Sequence, residues 1–219
     1  MSAKRKHIAI LVENDYQELE LHYPRLRLIE AGFQVSVLGA GDSVYHSGKG
    51  YAVKTDAAVS EVDPNDFDAV VIPGGMAPDK MRRHKAMVDF VRRLSDLEKP
   101  VAWICHAGWM AVSADIIRGR RVTSFASIRD DMVNAGGEWV DEEVVVDGHL
   151  ISSRVPDDLP ALCRALLKQL NCRIEPGGEA RCRRPLRDRS GSQPHFDACP
   201  GFRTAAGTFA AASRCPSGS

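Results

Sequence analysis

Neither sign of charge prevails in this chain: 29 Lys and Arg stand against 29 Asp and Glu, and nothing in that balance favours nucleic acid or a membrane surface. No apolar run approaches the roughly 18 residues of a membrane span. The first one, His7-Ile-Ala-Ile-Leu-Val12, falls short of the about 7–15 residues of a secretory h-region and has no small-residue cleavage site. It reads as a buried first strand, and a cytoplasmic location is the expectation. There is no CxxC pair among the six cysteines and no histidine at ligand spacing near them, so a zinc site is not expected. All six read as thiols of a reducing compartment.

Other motifs are absent too. Gly39-Ala-Gly41 follows a strand, but a dinucleotide fingerprint would need its third glycine where Val44 stands. Gly48-Lys-Gly50 lacks the Lys-Ser/Thr of a phosphate-binding loop. A class I glutamine amidotransferase would need a downstream His-x-Glu, and His149-Leu-Ile151 does not supply it. Seven histidines, at 7, 22, 46, 84, 106, 149 and 195, are scattered. All except His106 read as surface or core residues rather than ligands.

What is present is alternation. From residue 6 to 170, short apolar runs trade places with helical patterns, which predicts an α/β fold around a mostly parallel sheet. His7–Val12, Gln34–Leu38, Ala69–Pro73 and Val101–Cys105 are the expected strands, each apolar enough to be buried on both faces. Leu19, Tyr23, Leu26 and Ile29 recur at helical spacing, with Gly32 as the C-terminal cap. Lys85–Leu97 predicts a second helix with Met87, Val88, Val91 and Leu94 inward. A hairpin is expected over Glu142–Ser152, turning at Asp147-Gly148. Asp157–Leu170 predicts the last helix. Beyond it, residues 171–219 hold eight Arg, no Lys, six Gly, five Pro and five Ser without apolar periodicity. That segment reads as a disordered tail that cannot offset its ordering entropy; a basic interaction tail is the alternative.

The chemistry gathers at Cys105. Val101-Ala-Trp-Ile-Cys105-His106-Ala107-Gly108 is an apolar strand, a cysteine, then small residues opening a helix. This is the layout of a nucleophile elbow, in which a tight strand-to-helix turn exposes the nucleophile above the sheet. Ala107 and Gly108 give the turn room, and a helix N-terminus beside the sulfur is expected to lower the thiol pKa. Trp103 stands where the usual glycine two positions earlier would be. Val70-Val-Ile-Pro-Gly74-Gly75 is a second strand ending in a glycine pair, where a backbone N–H can approach a reacting oxygen. Glu13, Asp15, Glu18 and Glu20 follow the first strand. All three groups sit at carboxyl ends of strands, where open α/β sheets bind ligands.

Glu20-Leu-His-Tyr-Pro24, Pro73-Gly-Gly-Met-Ala-Pro78, Ile104-Cys-His-Ala-Gly108 and Thr123-Ser-Phe-Ala-Ser-Ile-Arg-Asp-Asp-Met132 together resemble the PfpI branch of the DJ-1 superfamily. Asn134–Asp141 and Ser152–Pro156 extend the likeness, which covers about residues 6–170 and leaves the tail outside. The resemblance implies a flavodoxin-like three-layer sandwich. It also implies Cys105 as nucleophile, Glu20 as a buried, protonated carboxyl contacting the sulfur, and Gly75 and His106 as oxyanion N–H donors. Gly74, Ala107, Trp109 and Phe125 would complete the substrate-binding surface. In that branch an acidic residue of a neighbouring subunit orients the histidine; its match is Asp79, shorter than the family's glutamate. Gln17 and Phe125 stand where some relatives have glutamate and tyrosine, which makes the pocket less polar.

No metal or cofactor is implied. The expected partners are further copies of the chain, as a homodimer or higher homo-oligomer, and a small carbonyl compound or a peptide as substrate; a membrane and specific nucleic acid are not among them. The expectation is a cysteine-dependent, stress-protective enzyme acting on reactive carbonyls, of glyoxalase or deglycase type. An intracellular cysteine peptidase is one alternative, and a redox or stress sensor or chaperone without turnover is the other.

Overall fold

The computed structural model describes residues 5–174 and 180–182. Strand β1 (His7–Leu11) opens the chain and is followed by helix α1 (Glu18–Glu30) and strand β2 (Gln34–Gly39). A small hairpin, β3 (Val44–His46) with β4 (Ala52–Lys54), precedes the two-residue β5 (Ala57–Ala58). Then come β6 (Ala69–Ile72), the short α2 (Ala77–Met81), α3 (Lys85–Asp96) and β7 (Val101–Ile104). Helix α4 (Gly108–Ser113), β8 (Arg121–Val122), α5 (Arg129–Asn134) and β9 (Glu138–Trp139) follow. The domain ends with β10 (Val144–Asp147), β11 (Leu150–Ser153) and α6 (Leu159–Asn171).

Seven strands form one sheet in the order β10-β11-β7-β6-β1-β2-β5, parallel except for β10 against β11. The central strands β6 and β7 are buried at every position, which is why they are unbroken apolar runs rather than alternating ones. Helices α1 and α6 pack together, and α4 packs against α2, α3 and α5. The result is the expected mostly parallel sheet between helical layers. The hairpin is present but closes one residue later than expected, on Gly148-His149, because Asp147 still pairs with Leu150.

Helix α1 forms where the helical spacing predicts it, and the fold settles which of its rows faces inward. Its ends are as anticipated: Gln17 caps the start by accepting the Glu20 N–H at 2.8 Å. Gly32, at φ +87°, ends it, with Phe33 N–H donating to Leu28 O at 3.1 Å, a Schellman closure. Leu19, Tyr23, Leu26 and Ile29 are 57, 37, 60 and 46% exposed, and the buried face is Glu20, Leu21, Pro24 and Leu28. The helix carries two apolar rows, and the row continuing from Glu20 must face the sheet if that carboxyl is to reach the strand ends. In α3 the inward row is Met87, Phe90, Val91 and Leu94, with Val88 half-buried at its edge.

Helix α6 runs one residue past the expected boundary and continues into β12 (Cys172–Ile174), antiparallel to β13 (Ala180–Cys182). The rest of the 171–219 segment, read from the sequence as a disordered tail, lies outside the described residues. No helix among the described residues is long and apolar enough to cross a membrane.

Candidate functional site

Strands β1, β6 and β7 lie side by side and parallel, so their carboxyl ends deliver three loops to one edge of the sheet. Cys105 follows β7 directly and opens a single 3-10 turn, Cys105–Ala107, that leads into α4. Its backbone sits at φ +61°, a left-handed conformation that a residue with a Cβ adopts at a cost of about 1–3 kcal/mol. The strained elbow expected from the sequence is therefore present. Ala107 is buried within it, and a Cβ on Gly108 would lie 2.8 Å from Met132 Sδ. Behind the nucleophile Trp103 is fully buried, its indole N–H donating to Thr123 O at 3.2 Å.

The loop after β6 supplies the second wall. Gly74 N–H donates to Glu20 Oε2 at 2.7 Å. A Cβ on Gly74 would lie 2.6 Å from that oxygen and 2.7 Å from Cys105 Cβ; only a glycine fits between carboxyl and nucleophile. Gly75, at φ +72°, is zipped to the loop after β1, with Met76 N–H on Asp15 O at 3.0 Å and Gln17 N–H on Gly74 O at 3.3 Å. The backbone N–H groups of Gly75 and His106 act on the Cys105 sulfur in the direction that favours its thiolate.

Glu20 is 0% exposed, and its Oε1 is buried with no hydrogen-bond partner. Burial pushes its carboxyl up to about 7 against the pull of the Gly74 N–H, because an ionised carboxylate loses its hydration there. Burial, and then the charge of Glu20, push the Cys105 thiol up to about 12, while the two N–H groups pull it down. The expectation of a thiol made acidic by a helix end is thus corrected. Helix α4 spans only six residues, and desolvation of the sulfur outweighs it. A thiolate here depends on the proton held by Glu20: neutralising that carboxyl removes the charge that opposes it.

His106 projects from the same turn. Its Nδ1 lies 3.2 Å from Cys105 Sγ and its Nε2 lies 3.1 Å from Ser127 Oγ. The imidazole packs between Phe125 and Trp109, at ring-centroid distances of 5.0 and 5.2 Å. Burial holds it below the ordinary histidine range. Trp109 is fixed in turn by Asp131, whose Oδ2 accepts the indole N–H at 2.8 Å.

The structure thus brings together Cys105, His106, Glu20, Gly74, Gly75, Ala107, Trp109 and Phe125. It does not bring Asp79 to His106 within the chain; Asp79, in α2, pairs with Arg83 just past the end of that helix. Of the other acids after β1, Glu13 faces His84 at 3.7 Å, Asp15 binds Lys80 at 2.6 Å and Glu18 accepts from Ser47 at 2.6 Å. Gln17 caps the start of α1. Nothing in the sequence alone marks Ser127 or Asp131, although both lie in the stretch that carries the resemblance. No group of three or more His, Cys, Asp or Glu among the described residues is placed to hold a metal ion.

The family model described as DJ-1/PfpI matches residues 6–169. Over 163 residues the chain is 45% identical to a protein of Pyrococcus furiosus named Deglycase PfpI, covering 74% of this chain and 98% of that one. It is 40% identical over 168 residues to Protein/nucleic acid deglycase 2 of Escherichia coli, covering 75% and 98%. Among solved structures, DJ-1beta of Drosophila melanogaster superposes with a TM-score of 0.72 at 26% identity, covering 76% of this chain and 90% of that one.

Proposed function

This chain belongs to the DJ-1/PfpI family, and from that premise we propose that it is a cysteine-dependent, stress-protective enzyme of deglycase type acting on adducts of small dicarbonyls. The observation that carries the reading is the pairing of Cys105, strained at φ +61°, with a fully buried Glu20, whose burial pushes its carboxyl up to about 7. A carboxyl poised near neutrality can accept and return a proton within one cycle. The names of the relatives, deglycases at 40 and 45% identity, point the same way.

On a hemiaminal of methylglyoxal, the Cys105 sulfur attacks the carbon bearing the amine. The C–S bond forms as the C–N bond breaks, and the amine leaves with a proton returned by His106. With the sulfur now bonded and uncharged, Glu20 gives its proton to the ketone oxygen and takes the proton from that carbon; it then delivers this proton to the neighbouring carbon and recovers one from the hemithioacetal hydroxyl, ending protonated as it began. The former aldehyde carbon is oxidised to a thioester while the former ketone is reduced to an alcohol, so no external oxidant is consumed. Water cleaves the thioester to lactate and the free thiol. The N–H groups of Gly75 and His106 hold the developing oxyanion.

The test is steady-state release of amine and lactate from methylglyoxal-treated N-acetyl-lysine. Many turnovers per subunit are expected, and their loss in Cys105→Ser. A single turnover at most would turn the reading to a sensor, and cleavage of short fluorogenic peptides without lactate would turn it to a peptidase.

Self-association is part of the same proposal. Leu19, Tyr23, Leu26 and Ile29 form an exposed apolar row along α1, of the kind a second copy would cover. Leu26→Glu should lower the sedimentation coefficient to that of a smaller species with unchanged circular dichroism. Identical sedimentation of both proteins would remove α1 as the contact.

A further inference from the structure

The imidazole of His106 needs a partner on the side away from the sulfur, and the resemblance assigns that place to an acidic residue of another copy. The chain fills it itself. Ser127 lies in the 3-10 turn Ala126–Ile128, directly after Phe125, and its Oγ stands 3.1 Å from His106 Nε2. That turn is tied to the elbow and to the sheet. Phe125 N–H donates to Cys105 O at 3.3 Å, and Ile128 N–H closes the turn on Phe125 O at 3.1 Å. One step back, Thr123 N–H donates to Ser152 Oγ at 2.9 Å, and Trp139 Nε1 donates to Ser124 Oγ at 3.0 Å. Ser127 is therefore presented from a backbone whose register to Cys105 is fixed at several points.

Resting on the nucleophile reading above, we propose that Ser127 is the positioning residue of His106: its hydroxyl accepts the Nε2 proton and so leaves the Nδ1 lone pair facing Cys105. A neutral imidazole has one proton for two nitrogens, and a hydrogen bond on one side decides which keeps it. A protonated thiol is a donor, so Nδ1 has to be the acceptor, at 3.2 Å from Sγ. The proton then belongs on Nε2, where Ser127 receives it. When Nδ1 takes the thiol proton, the same Nε2–H bond persists and strengthens because the donor is now charged. Phe125 and Trp109 hold the plane of the ring, and Ser127 sets its tautomer.

Two measurements that need no substrate test this, so their failure is distinct from a failure of the deglycase reading. Long-range nitrogen–proton NMR reports the His106 tautomer, and the rate of Cys105 alkylation by iodoacetamide against pH reports proton transfer. The wild type should show the Nε2–H form. Ser127→Ala should lose that preference and slow alkylation at pH 7 by about 3–10-fold, as for one lost hydrogen bond, and Ser127→Thr should restore both. Ser127→Asp should raise the His106 midpoint by about one pH unit or more, since a carboxylate favours the imidazolium. Asp79→Ala should change neither readout. A wild-type tautomer and alkylation profile in Ser127→Ala would overturn the assignment, as would failure of threonine to rescue; a change in Asp79→Ala would return the role to Asp79.

Discussion

Glu20→Gln is expected to make the folded protein more stable at neutral pH while cutting its turnover by about 10²–10⁴-fold, the range for loss of a general acid–base group. The stability effect follows from the carboxyl's environment. Its ordinary value is 4.5 and burial raises it to about 7, so the fold binds the proton more tightly than the unfolded chain does. That contribution is complete below pH 4.5 and is lost as the pH rises through about 7. Over that interval, at about 1.4 kcal/mol per pH unit, the wild type gives up about 3 kcal/mol. Glutamine carries no charge to desolvate, and its side-chain oxygen can still accept the Gly74 N–H. Denaturant midpoints of the two proteins should coincide at pH 4 and separate progressively to a plateau above pH 7. The Cys105 thiol should also titrate lower in the variant, because the charge of Glu20 is one of the effects holding it up. Parallel stability curves across the whole range would show that Glu20 ionises freely in the fold and would remove it as a poised acid–base group.

The second large effect is expected at Gly75. A Cβ there would lie 2.5 Å from Asp15 O and 2.7 Å from Gln17 N. Both are backbone atoms of the loop that leads into α1, and neither can swing aside as a side chain can. The φ of +72° adds strain for any residue with a Cβ. Gly75→Ala should cost about 2–4 kcal/mol from overpacking and backbone strain together. It should also lower turnover more than Leu26→Glu does, since the Gly75 N–H at the sulfur must move with the loop. Urea denaturation and steady-state lactate release measure the two. A variant within about 0.5 kcal/mol of the wild type would mean that the Asp15–Gln17 loop yields at little cost, and that the N–H position is not critical.

Much of this was legible in the residues. Unbroken apolar runs ending in Cys105 and in Gly74-Gly75 dictated buried parallel strands, and their shared direction placed both loops at one edge. Only glycine fits at 74 and 75, so those positions carried the site's geometry in their composition. Other features depend on contacts the order of residues does not display. The α1 periodicity is equally apolar on two faces, and only the requirement that Glu20 reach Cys105 decides which face is inward. The direction of the thiol's shift turns on how deeply the sulfur is buried, which a spacing argument about helix ends cannot measure. Ser127 is one serine among several in a loop, 21 positions from the histidine it meets; nothing local marks it. Asp79 stands out by resemblance alone, and within the chain its carboxylate is engaged by Arg83.

The left-handed backbone of Cys105 has an evolutionary corollary. A residue with a Cβ is held there against its own preference, and the strain is met by the rest of the fold. Glycine would relax that position, just as glutamine would relax position 20. Selection for heat resistance alone would therefore drive substitutions into the two residues proposed to carry the chemistry, and its survivors would be robust and inert.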